Sequence, residues 1–168
     1  MSAQTVYKYN PAMGAAGGIY DLAPYEINTY LNEEATGTKM FGKAVVDSTT
    51  EGAAGTYVKL PTATTDTFRG IVTNNRTTEW DMDGNVVVRN KAAMGVMYYG
   101  RIFGVLAASV TPTFGAQVYV VVSGDDKGCF TTSNSGTMPI NATFASGADN
   151  GVALIELNHA PYVAAASN

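Results

Sequence analysis

The chain has 168 residues, enough for one domain that buries its own core, so folding requires no disulfide or metal staple. Hydrophobic residues make up 46% and charged residues only 14%, with a net charge of −4 and no basic cluster. That argues against nucleic-acid binding, which needs Lys and Arg against phosphates, and against docking on an anionic membrane. The charged fraction lies well below the ~25% of ordinary domains, which points to a surface partly covered by partners, the alternative being a weakly charged soluble monomer.

Residues 1–39 differ from the rest. They hold Gly14-Ala15-Ala16-Gly17-Gly18, Pro11, Pro24 and five tyrosines, Tyr7, Tyr9, Tyr20, Tyr25 and Tyr30. Flexible glycines between aromatic anchors read as an extended N-terminal arm, because glycine loosens the backbone and tyrosine supplies contact area with a polar tip. The alternative is an ordinary first strand followed by a loop. Residues 1–10 contain no apolar stretch and do not read as a signal peptide.

From residue 40 the apolar pattern has a period of two or is continuous. Predicted strands are 40–47, 56–60, 68–74, 85–90, 93–107, 117–123, 128–132 and 151–158, rich in Val, Thr, Tyr and Ile. Clusters of Gly, Asn and Asp separate them, such as Glu51-Gly52-Ala53-Ala54-Gly55 and Ser123-Gly124-Asp125-Asp126. Residues 93–108 are the ambiguous case. Gly95, Gly100 and Gly104 would each weaken a helix by ~1 kcal/mol, so two strands or one long bent strand fit better. Short strands at this spacing predict an all-β chain, a single β-sandwich or small β-barrel over 40–160. The arm 1–39 precedes it and a loose tail 161–168 follows.

Chemistry-bearing residues are sparse. His159 is the only histidine and lies beyond the last predicted strand, a poor position for a catalytic base that must be held rigidly. Cys129 is the only cysteine, so no internal disulfide forms, which fits synthesis in a reducing cytosol. One Cys and one His exclude the usual zinc set. Asp81-Met82-Asp83-Gly84-Asn85 places its glycine too early for an EF-hand loop and reads as a hairpin turn, with a surface calcium site as the lesser alternative. Glu156 sits on a strand and is expected to face outward or to pair with Arg101 or Arg89. The expectation is therefore no enzyme, no catalytic residue, no metal and no cofactor.

Several pieces carry a resemblance. They are Phe41-Gly42-Lys43-Ala44-Val45-Val46, Leu60-Pro61-Thr62-Ala63, Phe68-Arg69-Gly70-Ile71-Val72, Met97-Tyr98-Tyr99-Gly100-Arg101-Ile102-Phe103-Gly104-Val105, Gly115-Ala116-Gln117-Val118-Tyr119-Val120, Gly128-Cys129-Phe130-Thr131 and Gly151-Val152-Ala153-Leu154-Ile155-Glu156-Leu157-Asn158. In order and spacing they resemble the structural cement (capsid decoration) proteins of tailed phages, over about two-thirds of the chain. The resemblance implies a β-rich body that forms homotrimers at local threefold positions on the outer surface of the head. It also implies an N-terminal segment that reaches neighbouring coat subunits, so the partners are the major capsid protein and further copies of the chain. The family has no fixed site motif, so the contact residues expected here, Tyr7, Tyr9, Tyr20, Tyr25 and Tyr30, come from composition. Competing readings are a carbohydrate-binding or adhesion β-sandwich, with Trp80, Tyr98 and Tyr99 as a sugar platform, and another virion component such as a tail or neck protein.

Overall fold

The structure, a computed structural model, describes residues 13–50, 52–74, 79–80 and 86–159. Eleven strands are present among them: β1 (Glu26–Asn32), β2 (Ala44–Asp47), β3 (Tyr57–Lys59), β4 (Phe68–Val72), β5 (Glu79–Trp80), β6 (Val86–Val87), β7 (Ala93–Val105), β8 (Gln117–Val121), β9 (Phe130–Thr131), β10 (Thr137–Phe144) and β11 (Val152–Leu157). The described residues contain no helix. The all-β expectation holds, and each of the eight predicted strands has a counterpart.

Hydrogen bonding joins β1, β3, β2, β4 and β7 in that order, and β7 pairs back to β1, which closes a five-stranded barrel. Alternation along the strands sets its lining. Val45, Val58, Val72, Met94 and Val96 point inward with Met40 and Leu60, while Ala44, Val46, Ile71 and Met97 point the other way, into a second core. That core belongs to a C-terminal sheet of β11, β10, β8 and β9, which pairs with residues 100–105 of β7. A parallel bridge between Leu106 and Phe130 draws β9 back to the end of β7, and the Ala107 N–H donates to the Phe130 carbonyl (2.9 Å). The sheet thereby curls round Val118, Val120, Phe130, Met138, Ile140, Phe144 and Ile155. β7 is one long strand shared by the barrel and the sheet, and its partners change at Gly100.

Two features depart from the expectation. β1 lies inside the stretch read as an extended arm, yet residues 26–32 form a barrel wall. Residues 14–20 also dock on the body. The Gly17 N–H donates to the Phe103 carbonyl (2.8 Å), the Phe103 N–H to the Gly18 carbonyl (3.0 Å) and the Tyr20 N–H to the Arg101 carbonyl (3.1 Å). The cause is backbone satisfaction: β7 needs partners on both edges, and this stretch supplies them where β1 ends. Asn32 fixes the other end of β1. Fully buried, its amide donates to the Val88 and Arg89 carbonyls (3.4 and 3.2 Å), and its oxygen accepts the Glu34 N–H (3.0 Å). The second departure is β10, unassigned in the sequence, as is the two-residue β5. The tail expected at 161–168 lies outside the described residues.

Two carboxylates tie loops to the barrel. Burial alone would raise the Asp47 pKa, but the hydrogen bond from Arg69 (2.8 Å), that from the Gly55 N–H (2.8 Å) and the Arg69 charge outweigh it and hold the group below the usual carboxylate range. Asp66 is likewise raised by burial and lowered further by the Thr62 and Ala63 N–H groups (2.7 and 2.9 Å). A lowered folded-state pKa stabilises above the unfolded value, and that contribution disappears as pH falls through the folded value. Thermal melts should therefore be flat from neutral pH to about 5 and fall below about pH 4, with Asp47→Asn lowering stability by roughly 1 kcal/mol at neutral pH and shrinking the acid-side fall.

Candidate functional site

The feature that stands out is the segment 13–27, a ribbon of chain that runs beside β7 and is rich in exposed apolar side chains. Met13, Ile19, Tyr20, Leu22, Tyr25 and Ile27 are all exposed, Leu22 almost wholly (97%). Six large apolar side chains exposed within fifteen consecutive residues are a concentration that a soluble surface ordinarily avoids. The sequence explains its shape. Residues 17–20 must run straight to pair with β7, Asp21-Leu22-Ala23-Pro24 makes the turn, and β1 resumes the pairing at Glu26. A strand covered on one edge only leaves its outward side chains in solvent.

The expected contact tyrosines divide among three situations. Tyr7 and Tyr9 lie outside the described residues. Tyr20 is half exposed and meets the Phe103 ring edge-on (5.9 Å), and Tyr25 is exposed with its Cβ packed over Gly100. Tyr30 is turned in, packed against the barrel core and interacting with Arg69. The structure thus brings Tyr20 and Tyr25 to one ribbon and takes Tyr30 away from it. Composition missed Met13, Ile19, Leu22 and Ile27. Their signal was present: isolated aliphatic residues among Gly, Asp, Pro and Asn, with no alternation to bury them.

The ribbon is bordered by charge. Arg101 lies between Asp21 (3.4 Å) and Glu156 (3.5 Å), so Glu156 has the cation partner expected of it. His159 is 3.6 Å from Glu26, stacks flat on Tyr99 (centroids 3.9 Å apart, 13° between planes) and meets Tyr98 edge-on. It is half exposed and held by its neighbours, although it follows the last strand. The stacking covers one face of the Tyr99 ring, so Tyr99 does not offer that face as a sugar platform. Tyr98 lines a cleft of ≈ 380 Å³ with Phe68, Arg69, Asp66, Asn141 and His159. Burial, only partly offset by the Lys43 charge, raises the Cys129 pKa, which disfavours the reactive thiolate. Among the described residues no three His, Cys, Asp or Glu side chains converge as a metal set. This geometry suits adhesion: an exposed apolar segment bordered by charged pairs.

Comparison with known proteins agrees with that chemistry. The family described as structural cement protein (E217 gp24/Pam3 gp6) matches residues 3–158. No curated protein matches the chain in sequence. Among solved structures, a chain of the capsid of Myoviridae phage XM1 superposes with a TM-score of 0.72 over 95% of this chain and 99% of its own, at 15% identity. At that identity the likeness speaks for the fold.

Proposed function

The chain belongs to the structural cement protein family of phages and carries a capsid cement role, and on that premise we propose that it sits on the outer surface of the head, grips the major capsid protein and does so as a homotrimer. The family match across both the barrel and the C-terminal sheet carries the proposal; the apolar ribbon supplies its physical means. Tyr20 and Tyr25 press against the shell together with Ile19 and Leu22, while Tyr7 and Tyr9 serve a contact with a neighbour. A trimer presents the ribbon three times, so one attachment raises the effective concentration of the others. A ligand that binds only the expanded shell stabilises that state by linkage. The protein acts by binding, without turnover, after synthesis in the host cytoplasm.

Adding purified chain to undecorated heads tests this. Electron microscopy is expected to show density outside the shell at threefold positions, and density inside the shell or none at all would refute the proposal. Leu22→Asp with Tyr25→Asp is expected to leave the melting temperature within a few degrees, since both side chains are exposed, and to weaken attachment by a hundredfold or more on the scale of interface hot spots.

A further inference from the structure

We infer that residues 5–9 of one copy add as a short strand to the open edge of β1 in the next copy, so that strand exchange links the subunits of the oligomer. The inference rests on the homo-oligomer proposed above. β1 pairs with β7 along 26–31, but with β3 only through Leu31 and Asn32. The Leu31 and Glu33 N–H groups reach the β3 side, at the Thr56 and Val58 carbonyls (2.9 and 3.0 Å), and the Asn32 N–H reaches Ala92 on the β7 side (2.9 Å). Strand alternation therefore points the N–H and C=O of Ile27 and Thr29 away from β7, to a side where β1 has no strand partner among the described residues. A register shift at Glu26/Ile27 bounds this window at one end and β3 bounds it at the other. The window is short, and neither Lys nor Pro blunts it.

Its surroundings suit an extended segment with alternating side chains. Ile27 is exposed, and a groove of ≈ 340 Å³ beside it is lined by Ile19, Thr29, Thr73 and Met94 among others. The twelve residues ahead of Met13 contain Thr5-Val6-Tyr7-Lys8-Tyr9, a run in which all but Lys8 are β-formers and in which strand alternation would put Tyr7 and Tyr9 on one face. Lys8 is the one charged side chain of 1–12 and would come to the edge where Glu26 stands; Pro11 ends the run. Reach favours a neighbour as the source. The Met13 N–H is held by Asp149 (2.6 Å) and Gly14 lies on Phe103. Phe103 is six residues along β7 from Met97, the partner of Ile27, roughly 20 Å at ~3.3 Å per residue. The four residues back from Met13 to Tyr9 span at most ~14 Å. A head-to-tail donation of this kind closes into a ring, as a cyclic trimer requires.

Paired cysteines in the full chain, Tyr7→Cys with Ile27→Cys and Tyr7→Cys with Thr29→Cys, test the contact under mild oxidation, with buried Cys129 left in place. At least one pair is expected to give covalent multimers on a non-reducing gel, and Val6→Pro with Lys8→Pro is expected to weaken self-association about tenfold or more by removing main-chain donors. Bonds within single chains only would overturn the inference. An intact oligomer with no cross-link from either pair, and no response to the prolines, would overturn it while leaving the oligomer standing. A wild-type chain that stays monomeric both in solution and on heads would overturn the inference together with the homotrimer.

Discussion

Gly70→Ala is expected to cost roughly 3–5 kcal/mol, the range reserved for backbone strain combined with a buried clash. Gly70 has φ +147°, a region that side-chain-bearing residues rarely occupy. A Cβ there would lie 2.3 Å from the Met97 carbonyl oxygen and 2.8 Å from its carbon. Those are backbone atoms, so no rotamer relieves the contact, and β4 must move off β7. The pairs Ile71 with Met97 and Val72 with Val96 would open, and with them the barrel wall between the two cores. The melting temperature should fall on the order of 10 °C or more. Gly136→Ala is the control. Its φ is also positive (+66°), but nothing lies within 4 Å of the added carbon, so only the local strain of ~1–2 kcal/mol remains. Equal losses in the two variants would show that conformation, not the approach of β7, makes Gly70 necessary.

How much of this was legible follows from which residues carry the pattern. β2, β4, β7, β8 and β11 announce themselves through Val, Ile and Tyr, because those residues suit a pleated surface whichever face they bury. β10 reads Met138-Pro139-Ile140-Asn141-Ala142-Thr143-Phe144, and its inward residues alternate perfectly. Pro139, Asn141 and Ala142 are poor strand formers, and a register shift between Pro139 and Thr143 shows how the ladder accommodates the proline. Propensity hid what periodicity alone would have revealed. β1 failed for the opposite reason: it is exposed along Glu26–Thr29, so it lacks an alternating face, and only its pairing with β7 makes it a strand. The ribbon was half legible. Tyrosines attract attention by type, whereas Ile19, Leu22 and Ile27 look like ordinary core residues until the fold leaves them outside. Function was legible only through order and spacing shared with a family, since adhesion needs shape and apolar area and leaves no reactive constellation in the sequence.

Phe130→Ala is expected to cost about 3–5 kcal/mol, and its partner in the core identifies the cause. The Phe130 ring is fully buried in the C-terminal sheet and occupies the space that a side chain at Gly104 would fill. A Cβ on Gly104 would stand 2.6 Å from that ring and 2.4 Å from the end of Ile155. Gly104→Ala alone should therefore destabilise by overpacking, about 1–3 kcal/mol. In the Phe130→Ala background the same substitution meets only the flexible end of Ile155, which can turn into the vacated space. The double variant should be more stable than the sum of the singles by about 0.5–3 kcal/mol, read from urea midpoints. Strict additivity would mean that the ring's contribution comes from elsewhere in the sheet. The shape of the transition is as informative as its midpoint. β7 forms a wall of the barrel and, from Gly100 onward, a wall of the sheet, and Met97 on its barrel half packs in the same core as Phe130. A cavity opened around Phe130 should accordingly shift one cooperative transition for the whole body. Two separated transitions, with the barrel outlasting the sheet, would show that the shared strand does not couple the two halves.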